Sequence, residues 1–150
     1  MLETRDLRKY SLFGGLTDAQ MAEILPMMEQ EEYEAGAAII TEGTPNDKIY
    51  FILRGRVAVT REGIILTEFG EGEVFGEMEV LEIMPSAATI TALSPVTVMV
   101  IANKTLRKIN LSDPKTFSLM VMNLARDLSR RLRRMNDQVV GKLDFPEMHY

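Results

Sequence analysis

The sequence predicts a mainly β domain with flanking helices: an antiparallel β jelly roll (a double-stranded β-helix) followed by one long C-terminal α-helix. Three observations carry this. Between residues 31 and 102, short apolar runs are separated by Gly36, Gly43, Gly55, Gly63, Gly70, Gly72 and Gly76, and many short strands with closely spaced turn signals are the pattern of an antiparallel barrel or jelly roll. After Pro114 no helix breaker occurs until Gly141. A chain of 150 residues, 46% hydrophobic and 26% charged, fits one globular domain able to bury its own core.

The elements follow in order. Residues 11–16, SLFGGL, flank a glycine pair with apolar residues and read as a docked turn. Thr17-Asp18-Ala19-Gln20 has capping-box spacing, and Met21, Ile24, Leu25 and Met28 follow at helical intervals until Pro26 kinks or ends the helix. Strands are expected at 38–40, 49–53, 57–60, 64–66, 90–93 and 96–101. Arg56, Ala58 and Thr60 alternate with Val57 and Val59, which implies one wet face and one buried face. Asn103 is positioned to cap a short helix through Ile109, and Asp113-Pro114 offers a cap followed by proline at the first helical position. The helix from Pro114 to about Val140, stopped by Gly141, would be roughly 40 Å long at 1.5 Å per residue, too long for one small barrel to cover. Part of it should project. The organisation is then residues 1–113 for the first helix, jelly roll and short helix, 114–140 for the terminal helix, and 141–150 for a tail.

Composition excludes several chemistries. Cysteine is absent, and the one histidine, His149, lies in the tail; disulfides, thiolate metal sites, histidine metal clusters and imidazole-dependent triads are therefore disfavoured. Carboxylates are plentiful, but no spacing singles out an acid/base pair, so catalytic residues, a metal and enzymatic activity are not expected. The longest apolar run, residues 90–102, is broken by Ser94-Pro95, and the first ten residues have no signal-peptide core. No membrane association and a cytoplasmic location are the expectations. The net charge of −5 is unevenly placed: residues 1–100 carry seven Lys/Arg against seventeen Asp/Glu, residues 101–150 ten against five. An acidic body disfavours a general nucleic-acid surface.

On the terminal helix, Phe117, Val121, Leu124, Leu128, Leu132, Met135 and Val139 form a stripe spaced by threes and fours. Such a seam predicts a dimerisation helix; the alternative is a helix packed wholly on its own barrel. Arg126, Arg130, Arg131, Arg133 and Arg134 are placed on its outer faces, where they keep the helix soluble or meet an acidic partner. Direct nucleic-acid binding is not expected, because only about ten residues follow the helix and no helix-turn-helix is among them.

The stretches SLFGGLTDAQ, AGAAIITEGTPNDKIYFILRGRVAV and GEVFGEMEVLEIMPSAATITAL, followed by the long helix, closely resemble the cyclic nucleotide-binding domains of the catabolite activator protein and protein kinase A regulatory subunit type, over roughly residues 10–135. The resemblance implies a phosphate-binding cassette at Phe75, Gly76, Glu77 and Met78, continued by Ser86, Ala87, Ala88 and Thr89. A glycine turn admits close backbone approach, and the start of a short helix offers free N–H groups to an anion. Glu77 matches the family glutamate that accepts from the ribose hydroxyl. The family's phosphate-pairing arginine is replaced by Ser86, and Glu79 stands where a small residue is usual. Arg54, Arg56 and Arg61 are the strand cations that could compensate, although each reads first as an exposed strand residue.

Two functions fit these features. One is a non-catalytic regulatory or sensor module, weak or altered in cyclic nucleotide binding, that needs no cofactor and takes a cyclic nucleotide or another small anionic ligand. The other is a ligand-free adaptor that uses the retained fold for homodimerisation or for binding a protein partner.

Overall fold

The computed structural model describes residues 7–142, with the side chains of Met78, Glu79, Leu81 and Lys142 outside that description. Eight strands among the described residues are β1 (Glu29–Tyr33), β2 (Ala38–Ile40), β3 (Lys48–Arg54), β4 (Val57–Arg61), β5 (Ile64–Phe69), β6 (Val74–Phe75), β7 (Thr89–Ala92) and β8 (Val96–Ala102). They form two four-stranded antiparallel sheets, ordered β1-β8-β3-β6 and β2-β7-β4-β5. The helices are α1 (Asp18–Ile24), α2 (Glu77–Glu82), α3 (Asn103–Ser112) and α4 (Pro114–Lys142).

Alternation along β3 and β8 builds two cores. Tyr50 and Ile52, with Val96, Val98 and Val100, point between the sheets and meet Val57, Val59 and Ile90 from the second sheet. Ile49 and Phe51, with Met99 and Ile101, point the other way and meet Phe13, Met21, Ile109, Met120 and Leu124 from the helices. The first sheet is thus covered on both faces, which is why its central strands read as unbroken apolar runs. The polar strand β1, EQEEY, escapes the sequence pattern because it is an edge strand paired only with β8. Two-residue β6 is too short to announce itself.

Local chemistry explains the remaining elements. Thr17 and Gln20 form the reciprocal capping box that opens α1, and a 3-10 turn at Leu25–Met27 ends the segment at Pro26. The docked turn is a 3-10 helix, Ser11–Phe13, with Leu12, Phe13 and Leu16 buried. β4 and β5 are joined through Glu62 (φ 52°) and Gly63 (φ 78°), the two positive-φ residues of a type I′ hairpin. Asp113 accepts from the Thr116 backbone N–H (3.2 Å) and from its hydroxyl, capping α4. These hydrogen bonds lower the Asp113 pKa below its ordinary value.

Several expectations are corrected. The cap position of α3 is Ala102, with no side-chain cap bond, and Asn103 is already helical; α3 continues to Ser112. Gly141 does not stop α4, which runs through it to Lys142. Ala58 is buried rather than wet, since its small side chain sits between the paired neighbours Glu68 and Thr91.

Candidate functional site

The site begins where β6 ends. Gly76 has φ 85°, and a Cβ there would stand 2.6 Å from the Lys48 carbonyl oxygen and 2.9 Å from Asn46 Nδ2. Only glycine fits the turn. Asn46 Nδ2 donates to the Lys48 carbonyl (2.8 Å) and the Gly76 carbonyl (3.2 Å), fixing the turn against the β2–β3 loop. Phe75 is buried and stacks on Tyr50, with ring centroids 4.8 Å apart and planes within 4°. Glu77, the first residue of α2, is 3% exposed.

The return loop is pinned by its backbone. Gly43 N–H donates to the Ser86 carbonyl and Ser86 N–H to the Thr44 carbonyl, each at 2.8 Å. The buried Ser86 hydroxyl donates to the Ala88 carbonyl (2.6 Å) and accepts from the Ala88 N–H (3.4 Å). It is engaged within its own loop. Thr89 accepts from the Glu42 N–H at 3.0 Å, which ties the loop to the end of β2.

A cation reaches this place from the terminal helix. Arg131 Nη1 donates to Glu77 Oε1 at 2.5 Å, Nη2 donates to the Val74 carbonyl, and the guanidinium lies 4.4 Å from the Phe69 ring centroid. The Arg131 side chain is 15% exposed and that of Glu77 4%. Between Arg131 and the loop lies a cavity of about 140 Å³, walled by Val59, Phe69, Phe75, Ala88 and Ile90, with Gly76, Glu77 and Glu82 also at its lining and Met84, Pro85 and Ala87 on the loop side. A wider hollow of about 270 Å³ lies around Thr41, Thr44, Asn46 and Asp47, but it lacks the Glu77–Arg131 pair.

Arg131 is the residue that sequence reasoning misplaced. The sequence pattern places it on an outer face, whereas it faces the barrel together with Asn123 and Asp127, two and one helical turns earlier. Asn123 Nδ2 donates to the Leu12 and Gly14 carbonyls, both at 3.0 Å, and the Ser11 hydroxyl donates to the Asp127 carboxylate at 2.8–2.9 Å. The signal was present as polar residues at i, i+4 and i+8 beside the apolar stripe. Arg54 and Arg61 are exposed, and Arg56 reaches Glu68 at 3.7 Å across an exposed strand pair.

The apolar stripe divides. Leu124 is buried in the chain's own core, where Phe117 also packs, and Val121 and Leu128 are half-buried. Leu132 and Met135 are each 60% exposed and Val139 53%. Met78 and Glu79 lie on α2 with side chains outside the described residues, as His149 does with the tail. Among the described residues no group of three or more His, Cys, Asp or Glu could hold a metal ion, and no helix is long and apolar enough to cross a membrane.

The fold and the site define a jelly-roll domain whose glycine turn, short helix and return loop frame a pocket under a terminal helix. The chain belongs to the cyclic nucleotide-binding domain family, whose model matches residues 30–113. It is 31% identical over 98 residues to a cAMP-dependent protein kinase regulatory subunit of Yarrowia lipolytica, covering 65% of this chain and 26% of that protein. It is 31% identical over 138 residues to Glutaminase 1 of Bradyrhizobium diazoefficiens, covering 91% of this chain and 22% of that protein. The chain therefore spans about a quarter of the length of these relatives. In fold it is similar to a cyclic nucleotide-binding domain from Methylobacillus flagellatus, with TM-score 0.86 and 24% identity over 97% of this chain and 85% of that one.

Proposed function

We propose that the chain is a non-catalytic sensor module in which the state of the pocket governs whether Arg131 holds the terminal helix to Glu77, and in which cyclic nucleotide binding is weak. The observation that carries this reading is the Glu77–Arg131 pair: the carboxylate that family resemblance assigns to a ribose hydroxyl is paired with the helix instead. A ligand that takes Glu77 for itself must compete with Arg131. Any ligand that prefers one helix position to the other shifts the balance between them, and one that prefers neither shifts nothing. Ser86 brings no charge to a phosphate, and loss of one partner of a buried charged pair costs about 2–5 kcal/mol, roughly 30- to 3,000-fold in affinity. The cytoplasm is the setting we propose, with a cyclic nucleotide or other small molecule as ligand and no cofactor required.

The test is calorimetry with cyclic AMP, cyclic GMP and cyclic dinucleotides, alongside amide exchange of residues 123–142. The parent chain should bind cyclic AMP at least about 30-fold more weakly than a Ser86→Arg/Glu79→Ala double variant. Equal affinities would refute weak binding by charge loss, and a helix whose exchange no pocket ligand alters would refute the sensor reading.

A second reading, homodimerisation, is favoured by one observation: Leu132, Met135 and Val139 form an exposed apolar row on the part of α4 beyond the Arg131 contact. Sedimentation should show a dimer that dissociates in Leu132→Asp/Met135→Asp. A monomer at high concentration of the parent would remove this reading.

A further inference from the structure

We infer that the cavity beneath Arg131 is built for an uncharged apolar molecule of about one aromatic ring; the inference rests on the sensor reading and names the ligand class of the same site. Volume is the first ground. The pocket holds about 140 Å³, room for one aromatic ring by comparison with the roughly 150 Å³ apolar cavities that bind benzene.

The walls are the second ground. Val59, Phe69, Phe75, Ala88 and Ile90 offer hydrocarbon. The Ser86 hydroxyl is engaged with Ala88, and among the described residues no buried side-chain nitrogen or oxygen lacks a hydrogen-bond partner. The wall side chains offer a ligand hydrocarbon contact, and a polar group left unpaired against them would be costly.

Charge is the third. The Glu77 carboxylate and the Arg131 guanidinium neutralise each other at 2.5 Å, and Glu82 adds a negative charge at the lining. A second anion would have to draw Arg131 from Glu77 and then face that carboxylate. An uncharged ring leaves the pair intact.

The mouth supplies an independent observation. Ile83, next to the lining residues Met84 and Pro85, is 88% exposed and has φ 57°. A β-branched residue in the left-handed region is strained, and such strain gathers at ligand clamps. Met84 is also exposed, so the lip over an apolar cavity is itself apolar. We assign this lip the role of covering the ring.

The experiment titrates the purified chain with toluene and benzene, and with benzoate and cyclic AMP as charged comparators, by ligand-observed NMR and by thermal shift. Toluene and benzene should bind at least about tenfold more tightly than benzoate. Ala88→Leu, which narrows the cavity, should abolish the response while circular dichroism reports an intact fold. Ile83→Gly, at an exposed position, should keep the fold and weaken binding about threefold or more. Benzoate or cyclic AMP binding more tightly than both uncharged rings overturns the inference, and so does an unchanged response in Ala88→Leu. Amide exchange of α4 separates the two readings. Toluene binding with no change in the helix sinks the sensor reading alone, and a helix response to cyclic AMP without toluene binding sinks the ligand class alone. Silence to every probe sinks both.

Discussion

Replacing Arg131 by methionine keeps most of the side chain's hydrocarbon and removes its charge, so it isolates what the guanidinium does. Breaking a buried pair by deleting one partner costs about 3–5 kcal/mol, because the other charge is left uncompensated. Glu77 is almost wholly buried, which argues for the upper part of that range; Arg131 keeps 15% of its side chain exposed, which argues for the lower. The Val74 carbonyl loses its charged donor and Phe69 its cation, the latter contributing about 0.5–1 kcal/mol. Helical amides at the start of α2 return about 0.3–1 kcal/mol to the Glu77 carboxylate. The net expectation is a loss of about 3 kcal/mol, a fall in Tm of roughly 6–12 °C for a chain of this size. Urea unfolding measures it, with Arg130→Met as comparator. Arg130 pairs with Asp127 on the same helix but is 55% exposed, and exposed helical pairs contribute about 0.3–0.5 kcal/mol. If the two variants lose the same stability within about 0.5 kcal/mol, the Glu77–Arg131 contact is a surface ion pair and the coupling built on it fails.

Three further outcomes are expected. Burial, then the neighbouring Tyr33, Glu31 and Asp47, hold the Tyr50 phenol well above its ordinary pKa, so the folded state keeps a proton that the unfolded chain releases above about pH 10. Stability is therefore fully present below pH 10 and should fall by up to about 1.4 kcal/mol per pH unit above it, with a shallower slope in Tyr50→Phe; equal alkaline slopes would refute this. Gly76→Ala must place a methyl 2.6 Å from the Lys48 carbonyl at φ 85°, and should cost at least about 2 kcal/mol in denaturant unfolding, against a neutral result if the turn can relax. Asn123→Leu deprives the Leu12 and Gly14 carbonyls of their donor and should cost about 1–3 kcal/mol, with faster amide exchange in residues 11–16 as the specific sign.

The legible parts of the fold were those in which one local rule decides the outcome. Thr17 and Gln20 announce a helix start because both halves of the capping box lie within four residues, and Asp113-Pro114 announces another. The runs in β3 and β8 were legible as strands, but period alone does not say that their two faces serve different cores. β1 was illegible for the opposite reason: as an edge strand it buries little, so its sequence carries charge rather than pattern. Gly141 misled because a glycine near a helix end is a tendency, overridden here by continuation to Lys142. In the site, Gly76 and Glu77 were visible through local motif, whereas the partner of Glu77 lies 54 residues away on another element.

That long separation explains why nothing local in the sequence links Glu77 to the arginines of α4. Asn123, Asp127 and Arg131 fall on successive turns of one face, and each holds α4 to a different part of the body: the carbonyls of Leu12 and Gly14, the hydroxyl of Ser11, then the start of α2. Up to Leu124 the apolar stripe supports the same docking; from Leu132 onward it is exposed. Among these contacts Arg131 is the one nearest the exposed stretch. A pocket placed there has more leverage than one under Leu124, because releasing Arg131 need not disturb the buried leucine and can still free residues 132–142, roughly 16 Å of helix. On the sensor reading proposed above, the Glu77–Arg131 pair is therefore also the contact through which the pocket would reach the exposed end of α4.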